Sequence, residues 1–276
     1  MGDSPANPIH AGMIDMESNT TLVQCYPAHE AVPGGDGPFP PILVLHDRFG
    51  LNAQTRNVAN RLAHAGFYAL APDLYCSPSS FSAASPDIFH PVHSTSFGYE
   101  EEAAAQDRAA TLADERVSTV VNQALAFLAG RSKARSGGAG LFGLGTGGRI
   151  AFLAACLFPE DVRAAVCLSP TGLNLARPGG AGRATPLDQA TALDAPVVLY
   201  YGLLDTSIRP EERETVRRRL VALGKDFRID VIPGADHDFF YEDRDSYRIR
   251  ASKNAWDETL SFFRRHVGAT AASSGP

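Results

Sequence analysis

GLFGLGTGGRIAFLAA (residues 140–155) reads as a buried strand, GLFGL, a glycine-rich turn and an apolar helix, TGGRIAFLAA. Strand, sharp turn and helix form the setting of a nucleophile elbow, in which G-x-S-x-G projects its serine from the turn. Glycines stand at both flanking positions, Gly143 and Gly147, but the central position, where a Ser or Cys would project, holds Gly145. A nucleophile at such a turn adopts positive φ, at a cost of about 1–3 kcal/mol for a residue with a side chain. Glycine adopts it without a Cβ clash. Covalent acyl transfer from this position is excluded, because glycine has no group that attacks.

Outward from the elbow, strands and helices alternate. PILVLH (41–46) is a continuous apolar run, as expected of a strand buried on both faces. A helix follows over 53–66, then a strand over 67–73 and a helix over 114–130. After the elbow come strands over 162–170, 195–202 and 226–234, with helices over 210–224 and 251–267. This alternation predicts an α/β fold, a mainly parallel central sheet with helices on both faces, whose ligands bind beyond the carboxyl ends of the strands. Residues 12–18 and 20–27, split by Asn19, read as two edge strands, and AVPGGDGPFP (31–40) as a loop. Residues 76–111 and 171–194 read as long irregular segments at the ligand-facing end, suited to a lid or pocket wall. A flexible N-terminus (1–11), one domain (12–267) and a flexible tail (268–276) are expected.

Composition narrows the function. The chain has 276 residues, 44% of them hydrophobic, and a net charge of −6 without a dense basic cluster, so nucleic acid is not an expected partner. No leader-like start and no apolar run of spanning length are present, so a cytoplasmic protein without membrane contact is expected. Cys25, Cys76, Cys156 and Cys167 show no C-x-x-C pairing and read as thiols rather than disulfides or metal ligands. His90 and His93 lack a clear third ligand, so neither a metal nor a cofactor is expected.

Two further residues fall at strand ends. Asp205 follows VVLYYGLL and His237 follows VIPGAD, giving the order elbow, acid, histidine that α/β-hydrolases use. With these stretches in place, the chain resembles the dienelactone hydrolase family of the α/β-hydrolase fold. The likeness runs over about residues 12–267 through PPILVLHDRFGLN, FYALAPDLY, ADERV, GLFGLGTGGRIAFLAA, YYGLLD, PGADHDFF and NAWDETLSFFRRH. It implies that the family's cysteine falls on Gly145, its acid on Asp205, its base on His237 and the glutamate that partners the resting cysteine on Asp47. It also implies an oxyanion hole from the backbone N–H groups of Arg48 and Thr146, a device that survives side-chain change. The two arginines with which the family clamps a carboxylate fall near Ser77 and Tyr241, and neither supplies a guanidinium. Arg48, Arg149 and Arg244 are possible replacements from elsewhere in the sequence. Tyr75, Cys76, Phe239 and Tyr241 suggest an aromatic-lined substrate pocket beside a thiol, and Thr146 is expected to cap the helix that follows the elbow.

Three readings follow for a small-molecule site. In the first, His237, held by Asp205, acts as a base in noncovalent chemistry on a carbonyl, enol or lactone: isomerisation, cyclisation, dehydration or direct hydrolysis. In the second, the protein binds a ligand without turnover. In the third, it is an ester or lactone hydrolase with a displaced nucleophile, Cys76 or Thr146. Oligomeric state is left open.

Overall fold

The computed structural model describes residues 8–17, 25–75, 99–176 and 184–268. The strands are β1 (Ile9–Glu17), β2 (Cys25–Pro33), β3 (Pro41–Leu45), β4 (Tyr68–Pro72), β5 (Ala139–Leu144), β6 (Val162–Leu168), β7 (Val197–Gly202) and β8 (Phe227–Ile232). They form one sheet in the order β1-β2-β4-β3-β5-β6-β7-β8. The first two strands are antiparallel to their neighbours, and every pairing from β4 to β8 is parallel. The helices are α1 (Ala53–His64), α2 (Tyr99–Thr111), α3 (Asp114–Ala129), α4 (Thr146–Leu157), α5 (Pro210–Ala222) and α6 (Ile249–His266). The expected α/β architecture is therefore present, with an antiparallel pair at one edge.

Every residue of β3, β4, β5 and β7 is buried, which is why these strands read as unbroken apolar runs. Their side chains alternate between two cores. Leu43, Leu45 and Leu141 point to the face covered by α3, α4 and α5. Ile42, Val44 and Phe142 point to the face covered by α1 and α6. On that second face Phe142, Phe240 and Trp256 form an aromatic cluster with centroids about 6 Å apart.

Two expectations are corrected. The second strand runs to Pro33, so it takes in three residues assigned to a loop. Pro27 and Pro33 both lie just outside Ala28–Ala31, the four residues paired with β4, where a missing N–H breaks no second ladder. The latter part of the 76–111 segment is α2, whose Ala105 and Ala109 pack inward. Cys76, Ser77, His90 and His93 lie outside the described residues. Cys156 and Cys167 are free and buried.

Candidate active site

The elbow is built as its glycines require. Gly145 has φ +53° and ψ −114°, its N–H donates to Leu168 O at 2.8 Å, and its carbonyl accepts from Gly148 and Arg149 in the first turn of α4. A Cβ on Gly143 would lie 2.1 Å from Gly147 O, and one on Gly147 would lie 2.0 Å from Leu45 O, so both flanking positions exclude any side chain. A Cβ on Gly145 would meet nothing closer than Asp47 Cβ at 3.6 Å and Tyr241 Oη at 4.0 Å. The turn thus has room for a side chain that the sequence does not supply. Thr146 does not cap α4: Gly145 occupies the capping position without a side-chain bond, and Thr146 is the first helical residue, buried beside the site. The first N–H groups of a helix have no intrahelical acceptor, which suits them to an anionic oxygen.

Asp205 and His237 meet across 32 residues of sequence, with His237 Nδ1 2.7 Å from Asp205 Oδ2. Asp205 Oδ1 accepts from the N–H groups of Ser207 and Ile208, which fixes the carboxylate in its loop. Burial raises the Asp205 pKa, but the His237 bond and charge and these two N–H groups outweigh it, so the carboxyl is held below its ordinary range. For His237, burial acts downward, and the Asp205 bond with the charges of Asp238 and Asp205 acts upward against Arg48; the net direction is up. A donor at Nδ1 leaves Nε2 as the basic nitrogen for a reactant. Ser169, which sequence reading missed, holds the histidine loop from beneath: its hydroxyl donates to His237 O at 2.7 Å. It does so from φ +45°, a conformation uncommon for a residue with a side chain.

Asp47 is fully buried. Oδ1 accepts from Phe49 N at 2.9 Å, while Oδ2 has no hydrogen-bond partner. Burial raises its pKa, as does Asp238, against the Phe49 N–H, His46 and Arg48. His46 joins the loop after β3 to the loop after β4, with Nδ1 2.7 Å from Asp47 O and Nε2 accepting from Leu74 N at 2.9 Å. Tyr75 donates to Arg48 O at 2.9 Å and so braces the same loop. The Arg48 side chain reaches Asp238, 3.8 Å away, and Arg244 reaches the same carboxylate at 3.4 Å. Phe49 packs beneath both guanidinium groups, with centroid distances of 4.7 and 4.5 Å. This cluster links the loop after β3 to the histidine loop.

A cavity of about 660 Å³ opens at this end of the sheet. Arg48, Thr146 and His237 share its wall with Gln106, Ala109 and Ala110 of α2, with Thr171, Gly172, Leu175 and Ala176, and with Ser207, Glu212 and Asp238. Both segments expected to form a wall therefore contribute to it. The aromatic lining is corrected: Phe239 is fully buried in the core under α6, and Tyr75 and Tyr241 stand behind the wall against Arg48 and Gly145. Arg149 lines the cavity but is committed elsewhere. Its Nη1 and Nη2 hold Asp114 at 2.6 and 3.1 Å, and Nε and Nη2 donate to Gly172 O and Leu175 O. Among the described residues no group of three or more His, Cys, Asp and Glu side chains is placed to hold a metal ion, and no helix is long and apolar enough to cross a membrane.

Comparison with known proteins places this geometry in a family. The model of the dienelactone hydrolase family matches residues 27–267. A Salmonella typhimurium protein named "Putative carboxymethylenebutenolidase" is 30% identical over 270 residues, covering 96% of this chain and 91% of the relative. A Methylorubrum extorquens protein of the same name is 29% identical over 261 residues, covering 95% and 83%. The crystal structure of a "Putative Dienelactone Hydrolase" from Klebsiella pneumoniae superimposes with a TM-score of 0.77 at 28% identity, over 94% of this chain and all of the other. With its sheet order, elbow and acid–histidine pair, the chain belongs to the dienelactone hydrolase family.

Proposed function

We propose that the protein hydrolyses a small-molecule ester or lactone by direct attack of water. His237 is the general base and the N–H groups of Arg48 and Thr146 receive the developing oxyanion. The observation that carries this reading is the 2.7 Å bond between His237 and Asp205 beside an elbow that bears no side chain. A dyad so oriented is ready to take a proton, and at Gly145 the attacking group has to come from solvent.

Water oxygen adds to the substrate carbonyl carbon while His237 Nε2 takes one of its protons. The resulting oxyanion then expels the alkoxide or enolate oxygen, which leaves with the proton from His237, giving a carboxylic acid and an alcohol or enol. Hydrolysis is favoured over isomerisation, cyclisation or dehydration because the relatives carry the names "Putative carboxymethylenebutenolidase" and, for a Bradyrhizobium protein 28% identical over 240 residues, "Probable 2-oxo-3-(5-oxofuran-2-ylidene)propanoate lactonase". Cytoplasmic location and a small-molecule partner belong to the same reading.

The test is turnover of a panel of activated esters and enol lactones by the wild type and His237→Ala. General-base assistance is worth about 10²–10⁴ in rate, and a loss of that size is expected. Unchanged turnover in His237→Ala refutes the base assignment. Ligand binding without turnover by the wild type favours a binding protein instead.

A further inference from the structure

We propose that Asp47 and Tyr241 hold the attacking water above Gly145, at the point a nucleophile's side chain would occupy; this inference rests on the hydrolytic reading. Asp47 and Tyr241 are 2% and 5% exposed, and Asp47 Oδ2 and the Tyr241 hydroxyl each have no hydrogen-bond partner. The Asp47 charge and a weak side-chain hydrogen-bond interaction both act on the Tyr241 hydroxyl, but the contact is too poorly aligned to satisfy either group. Buried polar groups without partners are costly and uncommon. Both groups lie around the same point: a Cβ built on Gly145 sits 3.6 Å from Asp47 Cβ and 4.0 Å from Tyr241 Oη. Gly145 and Asp47 immediately precede Thr146 and Arg48, both of which line the cavity.

A buried water requires two to four polar partners, and this arrangement supplies them with the correct polarity. Tyr241 donates its O–H to the water oxygen, one water proton goes to Asp47 Oδ2, and the other goes to His237 Nε2. The remaining lone pair is directed at the substrate. As the new C–O bond forms, His237 takes the proton and the carbonyl π pair moves to its oxygen. The bond to the leaving oxygen then breaks and that oxygen receives the proton from His237. Asp47 and Tyr241 regain their starting state.

The experiment has a kinetic arm and a crystallographic arm. Gly145→Ala places a methyl against the water's site, 3.6 Å from Asp47 Cβ and 4.0 Å from Tyr241 Oη, too close for the water to stay beside it, and kcat is expected to fall by at least tenfold. Tyr241→Phe keeps the ring and removes one bond to the nucleophile, for an expected fall in kcat of about tenfold with KM little changed. A high-resolution crystal structure of the resting wild type is expected to show an ordered water within hydrogen-bond distance of Asp47 Oδ2 and Tyr241 Oη, and Gly145→Ala to lack it. A direct hydrogen bond between the two side chains, with no water at that point, overturns the proposal. Full kcat in Gly145→Ala and Tyr241→Phe, with turnover still lost in His237→Ala, overturns the water site and leaves the hydrolytic reading standing. A water at the site in a protein inert to the whole panel overturns the hydrolytic reading and, with it, the water's role.

Discussion

Replacing Gly145 by Cys tests whether the remainder of the hydrolytic site is complete. The cost is set by backbone conformation, because the nearest contacts of a new Cβ, 3.6 Å to Asp47 Cβ and 4.0 Å to Tyr241 Oη, are ordinary. The dihedrals φ +53° and ψ −114° lie far from the left-handed basin near ψ +47° that tolerates a side chain. Strain at such positions is about 1–3 kcal/mol, so the folding equilibrium constant should fall roughly 5- to 150-fold. Equilibrium urea unfolding of the wild type, Gly145→Cys and Gly145→Ala measures it, the last variant carrying the backbone cost without the thiol. The same Gly145→Cys protein, mixed with an activated ester, should show a burst of acyl-enzyme formation that the wild type lacks. A folded Gly145→Cys protein whose thiol is never acylated would refute the claim that the dyad and oxyanion donors are intact. Wild-type stability in both variants would refute the strain.

Gly147→Ala should fail to fold or lose far more stability than Gly145→Ala, because its Cβ would lie 2.0 Å from Leu45 O; soluble yield and urea midpoint decide this. The acidic limb of kcat/KM should have an apparent pKa above 6.5, since only neutral His237 is a base and its pKa is raised. Asp238→Asn removes one of the charges that raise it, so the limb should move down, and an unmoved limb counts against that assignment. Asp47 has a folded pKa raised above the unfolded value of 3.8, so its contribution to stability is present below that value and is lost as pH rises through the folded pKa. Asp47→Asn should therefore gain stability relative to wild type as pH rises from about 3 to 8 in urea titrations, and a pH-independent difference would contradict the burial argument. Asp114→Ala leaves the Arg149 guanidinium buried without its carboxylate and should cost about 3–5 kcal/mol of unfolding free energy.

What the sequence disclosed follows from how local each signal is. The elbow, β3 and β7 were legible because a fully buried strand is a continuous apolar run and because Gly143 and Gly147 mark close backbone approach. Asp205 and His237 were legible as strand-end residues in the hydrolase order. The α2 helix was missed although YEEEAAAQDRAAT is rich in good helix formers, because its inward face is alanine and carries no large apolar periodicity. The run of β2 past Pro27 depends on pairing with β4, which no local pattern reveals. Ser169 under His237, Arg149 on Asp114 and the approach of Tyr241 to Asp47 join residues 68, 35 and 194 positions apart. Only the packed fold brings them together, and this explains why residues expected on the pocket wall became its supports.

Direct attack by water is distinguished from covalent catalysis by the mass of the protein during turnover. The wild type would be mixed with excess activated ester, quenched in acid within the steady state and weighed intact. With direct attack, product accumulates while the protein keeps its unmodified mass. An acyl adduct that forms and decays at the rate of turnover, on Thr146, Cys76 or any other side chain, would contradict it.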